Sequence, residues 1–280
     1  MGNLISFMKE VANGLRESGN YGTAHIYRSS LSAVVAFHGS DKLPFRKVTQ
    51  EFLKSFESYL RRKNCSWNTV STYMRTLRAV YNRAVDRHIA PYVPHHFRYV
   101  YTGTRVDRKR ALDKEDMGRL MKELPKRLCQ ENKELQRTRA LFFLMFLLRG
   151  IPFVDLAYLK KHDMDGNTIT YRRRKTGRLL TVTLVPEAMK LIKRYMNTDP
   201  ASPYLFSLIT SGEGTEAAYK EYQLALRNFN YQLMILKQVL GLTSELSSYT
   251  ARHTWATMAY YCEIHPGVIS EAMGHSSITV

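Results

Sequence analysis

The stretch Ser248-Tyr-Thr-Ala-Arg-His-Thr-Trp-Ala-Thr257, followed at a short interval by Met273-Gly-His-Ser-Ser277, decides how this chain is read. It sets Arg252 beside His253 on one expected helix and places His275 just after the next. Arginine offers a rigid fork of donors and histidine can give or take a proton, so together they suit a negatively charged oxygen. With 42 Lys and Arg against 24 Asp and Glu, net +18 and a pI of 9.8, the natural anion is a nucleic-acid phosphate.

Upstream of this stretch the pattern is mostly helical, with helices expected over 186–196, 217–240, 248–262 and 266–273. The one β region is 168–172 with 179–184, two alternating segments flanking Arg173-Arg-Lys-Thr-Gly-Arg178, a turn that contains Gly177. Like charges crowd at that tip, on Arg173, Arg174, Lys175 and Arg178. A solvated basic turn is one reading; projection into a DNA groove accounts better for the clustering. Residues 139–148 form an apolar helix, and Pro152 interrupts it or opens the next, which runs to residue 161.

The polar, turn-rich interval 101–110 after Pro91 and Pro94 reads as a linker between a helical domain over 1–100 and a second domain over 111–280. Asp113 is placed to cap the first helix of the second domain, whose first turn is acidic. In the first domain helices are expected over 21–37, 49–62 and 68–88. The last buries Val70, Met74, Leu77, Val80 and Ala84 at helical spacing and leaves Arg75 and Arg78 off that stripe. Singly these arginines fit an ordinary solvated face; as a group in a basic domain they fit a DNA backbone. The first 104 residues hold 15 basic and 6 acidic side chains and the remainder 27 and 18, so both halves carry +9, as a clamp on phosphates would.

Other classes are disfavoured. No apolar run approaches the ~20 residues that span a bilayer, so no membrane partner is expected. The opening Met-Gly-Asn-Leu-Ile-Ser matches a loose acylation pattern that chance supplies often. Cys65, Cys129 and Cys262 are widely separated, which argues against a disulfide framework and a zinc site and for a reducing compartment. No carboxylate cluster for Mg²⁺ stands out, and neither metal nor other cofactor is expected.

Collected in order, Lys175 in Arg-Lys-Thr-Gly, the Ala-Arg-His-Thr-Trp-Ala-Thr string and Met-Gly-His-Ser-Ser resemble the tyrosine recombinases, the phage-integrase family, in the style of integrases of Bacteroides-type bacteria. The resemblance implies a mainly α fold: a helical, SAM-like core-binding domain, then a mainly helical catalytic domain with a small antiparallel sheet. It implies that Arg252 grips the scissile phosphate, that Lys175 protonates the departing 5′-oxygen, that His275 hydrogen-bonds the same phosphate, and that His253 supports them. For His253 a satisfied helix histidine is an equal reading. The partners implied are double-stranded DNA with inverted-repeat sites and a homo-tetramer on paired sites, in the bacterial cytoplasm at the nucleoid.

Three positions depart from the family pattern. Aligning Asp155-Leu156 with the family's Glu-Leu puts Pro152 where the first arginine belongs. Arg149, about one helical turn earlier, is the expected substitute; the alternatives are that it packs a helix end or pairs with Asp155. Tyr249 stands where the family has His or Lys, and a phenol with an ordinary pKa near ~10 is a poor base at neutral pH. The nucleophilic tyrosine belongs a little over two turns beyond the Gly-His-Ser-Ser histidine, whereas the chain ends at Val280, so no nucleophile is assigned within it and truncation is expected. Tyr260 and Tyr261 precede His275 and read as ordinary aromatics. The leading expectation is therefore a site-specific recombinase acting through a 3′-phosphotyrosyl intermediate; the alternative is a non-catalytic DNA-binding protein on the same scaffold, with a type IB topoisomerase a distant third.

Overall fold

Asn3, Thr49 and Ser66 each turn a side-chain oxygen to a backbone N–H two or three residues on, and each opens a helix. These are α1 (Leu4–Glu17), α3 (Gln50–Arg62) and α4 (Trp67–Asp86); with α2 (Tyr21–His38) they build the first of two units, Met1–Asp107 and Arg108–Val280. The structure, a computed structural model, describes residues 2–105, 111–122 and 132–275. Helices α2 to α4 fall where the periodicity places them. Helix α1 is an addition to that expectation: its apolar residues come as adjacent pairs, Leu4-Ile5 and Phe7-Met8, which blur the helical spacing, yet all four are buried.

The core of this unit joins Met8, Leu53, Phe56, Met74, Leu77 and Val80. Arg75 and Arg78 lie on the exposed side of α4, off the buried stripe. Of the interval expected to be a linker, residues 101–105 are held to the first unit. The Tyr101 amide donates to Glu57 at 2.6 Å, and Asn68 and Arg105 exchange two hydrogen bonds, at 2.8 and 2.9 Å. The Arg105 guanidinium also lies over the Trp67 ring, 5.0 Å from its centre. The rest of that interval, 106–110, lies outside the described residues.

In the second unit the described helices are α5 (Lys114–Met121), α6 (Lys133–Leu147), α7 (Phe153–Tyr158), α8 (Pro186–Tyr195), α9 (Glu216–Leu240), α10 (Thr250–Tyr261) and α11 (Pro266–Ala272). Between α7 and α8 lies an antiparallel sheet, β1 (Met164–Asp165), β2 (Thr168–Arg172) and β3 (Leu179–Thr183), in that order. Ile169 pairs with Val182 and Tyr171 with Leu180; these four face a core that includes Phe142 and Met145 of α6, Leu156 of α7, Ile192 of α8 and Leu233 of α9. Strand β1 was not legible in the alternation, because two residues are too few to show a period. The mainly helical architecture with a small antiparallel sheet is the expected fold class.

Two carboxylates near the start of the second unit fix its local geometry. Asp113 caps α5 as expected, accepting from the Asp116 amide at 2.7 Å. Asp116, buried, accepts from the Thr243 amide and hydroxyl and from the Ser244 amide, and so grips the segment that leads into α10. Burial works to raise its pKa, but the bonds from Ser244 and Thr243 hold the carboxyl below the ordinary carboxylate range. Because the folded value is depressed, the stabilisation is complete above the ordinary range and is lost as pH falls through the folded value. Asp116→Ala is expected to cost about 1–3 kcal/mol at neutral pH through stranded buried donors. In urea unfolding, the gap between variant and parent should narrow at strongly acid pH; a gap that stays constant with pH would contradict the assignment.

Candidate active site

Arg252 lies in the first turn of α10 and is only 3% exposed. Its Nη1 donates to the Gly150 carbonyl at 2.9 Å and its Nη2 to the Met273 carbonyl at 2.7 Å. The Gly150 end of this grip depends on a reversal between α6 and α7, where Arg149 and Gly150 both take left-handed backbone, φ +56° and +69°. A Cβ on Gly150 would stand 2.8 Å from the Arg252 Cα, so only glycine permits this approach. Pro152, the residue that sequence alignment puts in place of the family's first arginine, is the N-cap of α7.

The basic turn between β2 and β3 is organised differently from the expectation. Arg173 does not project outward: it is 5% exposed, its Nε lies 3.0 Å from Asp155 Oδ2, and its Nη1 donates to the Met273 carbonyl at 3.0 Å. Arg174 pairs with Glu213, and its guanidinium lies 3.8 Å from the centre of the Tyr158 ring. Arg178 donates to the His275 carbonyl at 3.0 Å and to Glu271 at 3.2 Å. The crowded charge is therefore compensated from inside the unit by Asp155, Glu213 and Glu271, and no external anion is needed to fold the turn. Against the expectation of a DNA contact, Arg173 is turned inward, while Arg174 and Arg178 stay exposed beside their carboxylates. Lys175, at the exposed tip, pairs with no carboxylate among the described residues.

The turn Met273-Gly274-His275 closes the site. Gly274 has φ +67°, and a Cβ there would meet Arg173 Cγ and a Leu180 methyl at 3.0 Å. Its carbonyl accepts from the Thr176 hydroxyl at 3.2 Å, so hairpin and turn are tied together at several points. Burial, then the charges of Arg252, Arg173 and Lys175, pull the His275 pKa below the ordinary histidine value. All three cations therefore lie within electrostatic reach of this ring, which is neutral at physiological pH and can donate one N–H. Arg252 is pulled down to about 10, by burial first and then by Arg173, and stays charged at neutral pH.

Arg149 is half-buried, with its Nη1 3.4 Å from the Thr181 carbonyl of β3. It does not take the alternative ion pair with Asp155, because Arg173 occupies that carboxylate. Its charge reaches the buried Tyr171 phenol, which also feels Arg252, Arg173 and Asp155; burial dominates and raises the Tyr171 pKa. Tyr249 is 46% exposed, its ring 5.3 Å from that of His253. Tyr260 and Tyr261 are exposed at the far end of α10, about 12 Å of helical rise from Arg252, and do not join the constellation. Ser276 and Ser277 lie outside the described residues.

Sequence reasoning passed over Asp155, Gly150 and the Met273 carbonyl as parts of the site. Asp155 could have been found, since a single carboxylate inside Ile151-Pro-Phe-Val-Asp-Leu-Ala-Tyr-Leu159 must be buried and so demands a partner. A backbone carbonyl carries no such signal.

The geometry gathers Arg252, Arg173, Lys175 and His275 at one cationic point suited to an anion, and comparison with known proteins gives the family. Residues 3–99 match the phage integrase SAM-like domain and residues 110–280 the phage integrase family. The chain belongs to the phage integrase family, that of the tyrosine recombinases. A lambda integrase dimer bound to a COC' core site is similar in fold, with TM-score 0.70 at 14% identity, over 99% of this chain and 93% of that one. The Tn1549 transposon integrase in complex with transposon right end DNA gives 0.65 at 16% identity, over 99% and 93%. A lambda integrase tetramer bound to a Holliday junction gives 0.70 at 15%, over 100% of this chain and 76% of that one. No curated protein matches the sequence.

Proposed function

We propose that this protein is a site-specific recombinase that cleaves and rejoins double-stranded DNA through a 3′-phosphotyrosyl bond. The observation that carries the reading is an excess of positive charge at one point. Two buried guanidinium groups, of Arg252 and Arg173, donate to the same Met273 carbonyl, and among the described residues only Asp155 balances them. Lys175 and the His275 ring share their field. A site so charged favours an anion, and more so a phosphorane gathering charge in the transition state.

In this reading Arg252 and His275 bind the non-bridging oxygens and Lys175 gives its proton to the 5′-oxygen as it leaves. Arg149 approaches from the β3 side and would supply the guanidinium that Pro152 cannot. Tyr249 would hydrogen-bond the phosphate rather than act as base, and His253 would support its ring. Arg75 and Arg78 would meet the DNA backbone from the first unit, with Arg178 a lesser contact at the hairpin. Assembly of four protomers on paired inverted-repeat sites follows by likeness to the lambda integrase tetramer.

The departures at Pro152 and Tyr249 favour a second reading, a non-catalytic DNA-binding protein on the same scaffold. One experiment separates the two. A polypeptide continued through the codons that follow Val280, incubated with a nicked duplex carrying the target site, is expected to become covalently attached to the DNA 3′-end. Its affinity for the intact site should fall steeply with salt. Salt-sensitive binding without any covalent adduct would leave only the binder.

A further inference from the structure

We infer that Arg173 is a positioning residue: its guanidinium, shared between the Asp155 carboxylate and the Met273 carbonyl, fixes the turn that carries His275 against the hairpin that carries Lys175. The placement rests on geometry throughout. Arg173 follows the last residue of β2, so a bond from its side chain is a bond from the base of the hairpin. That side chain reaches Asp155 on α7 at 3.0 Å and, at 3.0 Å, the Met273 carbonyl to which Arg252 also donates. Three elements that each hold a candidate group are thus fastened at one buried point. Gly274, whose missing Cβ leaves room for the Arg173 stem, keeps the turn close.

A lysine cannot replace this arrangement, because a single ammonium on a shorter reach cannot lie against the Asp155 carboxylate and donate to the Met273 carbonyl at once. The excess cation over Asp155 also explains why Arg173 is not an ordinary structural pair: it adds to the field at Arg252 and His275 while holding them. What the turn and hairpin are positioned for rests on the recombinase reading; that Arg173 holds them does not.

The test therefore uses the 280-residue chain without DNA or strand cleavage. Histidine side chains labelled with ¹³C and ¹⁵N are titrated by NMR, with the His275 signal assigned by its loss in His275→Gln. Amide exchange is followed at Gly274 and His275, whose N–H groups donate to the Glu271 and Ser270 carbonyls. Arg173→Lys, which keeps the charge, is expected to raise the His275 pKa toward the ordinary histidine range as water reaches the ring. The two amides should exchange roughly tenfold faster or more, the equivalent of one charge-assisted bond. Should Arg173→Lys not fold, Arg173→Gln, which leaves Asp155 to balance the buried Arg252, is read by the same amide exchange. Titration and protection like those of the parent chain overturn the inference. Failure of the parent polypeptide, continued past Val280, to form a covalent adduct with the nicked duplex would count against the recombinase reading and leave this inference untouched.

Discussion

In the polypeptide continued past Val280, Arg252→Ala is expected to lower the rate of covalent DNA attachment by roughly 10²–10³-fold, the range seen when a pre-aimed donor to a developing oxyanion is removed. The loss should appear in the cleavage step with saturating DNA, because charge accumulates on the phosphate only in the transition state. Folding makes its own contribution, since the variant strands the Gly150 carbonyl and leaves the Met273 carbonyl to Arg173 alone. Arg252→Lys is the control: it keeps a cation but cannot span both carbonyls and a phosphate with one ammonium. Circular dichroism and salt-dependent binding of both variants separate unfolding from lost chemistry. Near-parental cleavage by a folded Arg252→Ala protein would remove Arg252 from the mechanism.

Lys175→Ala is expected to cost about 10²–10⁴-fold in cleavage while leaving affinity for the intact site within a few-fold, as befits a general acid. Lys175 sits on a tip whose base is anchored through Arg173, Thr176 and Arg178, and it pairs with no carboxylate among the described residues. The diagnostic is a DNA substrate with sulfur at the 5′-bridging position. A thiolate departs without a proton, so the defect of Lys175→Ala should largely vanish on it, whereas that of Arg252→Ala should persist. If Lys175→Ala is equally impaired on both substrates, proton donation is not its role.

Much of the local structure was legible because it is set by neighbours in the chain. Val70, Met74, Leu77 and Val80 recur at helical spacing, and α4 buries them. Alternation around Gly177 announced the hairpin, and its register pairs Arg172 with Leu179. The identities of Lys175, Arg252 and His275 came from local strings in the same way, and the structure brings all three into one field. What local strings did not separate are the arginines beside Lys175. In sequence Arg173, Arg174 and Arg178 are equivalent members of a charged run, but each has a different distant partner: Asp155, Glu213 and Glu271.

Composition, periodicity and short strings thus determined that this protein is a basic, mainly helical molecule of integrase type, and singled out Lys175, Arg252 and His275 as candidate site residues. Only the tertiary structure decided which cation is turned inward and which is left to act. The reason is the range of the forces involved. Helical and strand patterns are properties of residues a few positions apart, whereas the fate of a buried charge depends on which counter-charge and carbonyl the fold delivers from far along the chain. Arg173 and Met273 are 100 positions apart, and their hydrogen bond exists only once the fold brings the end of β2 against the end of α11.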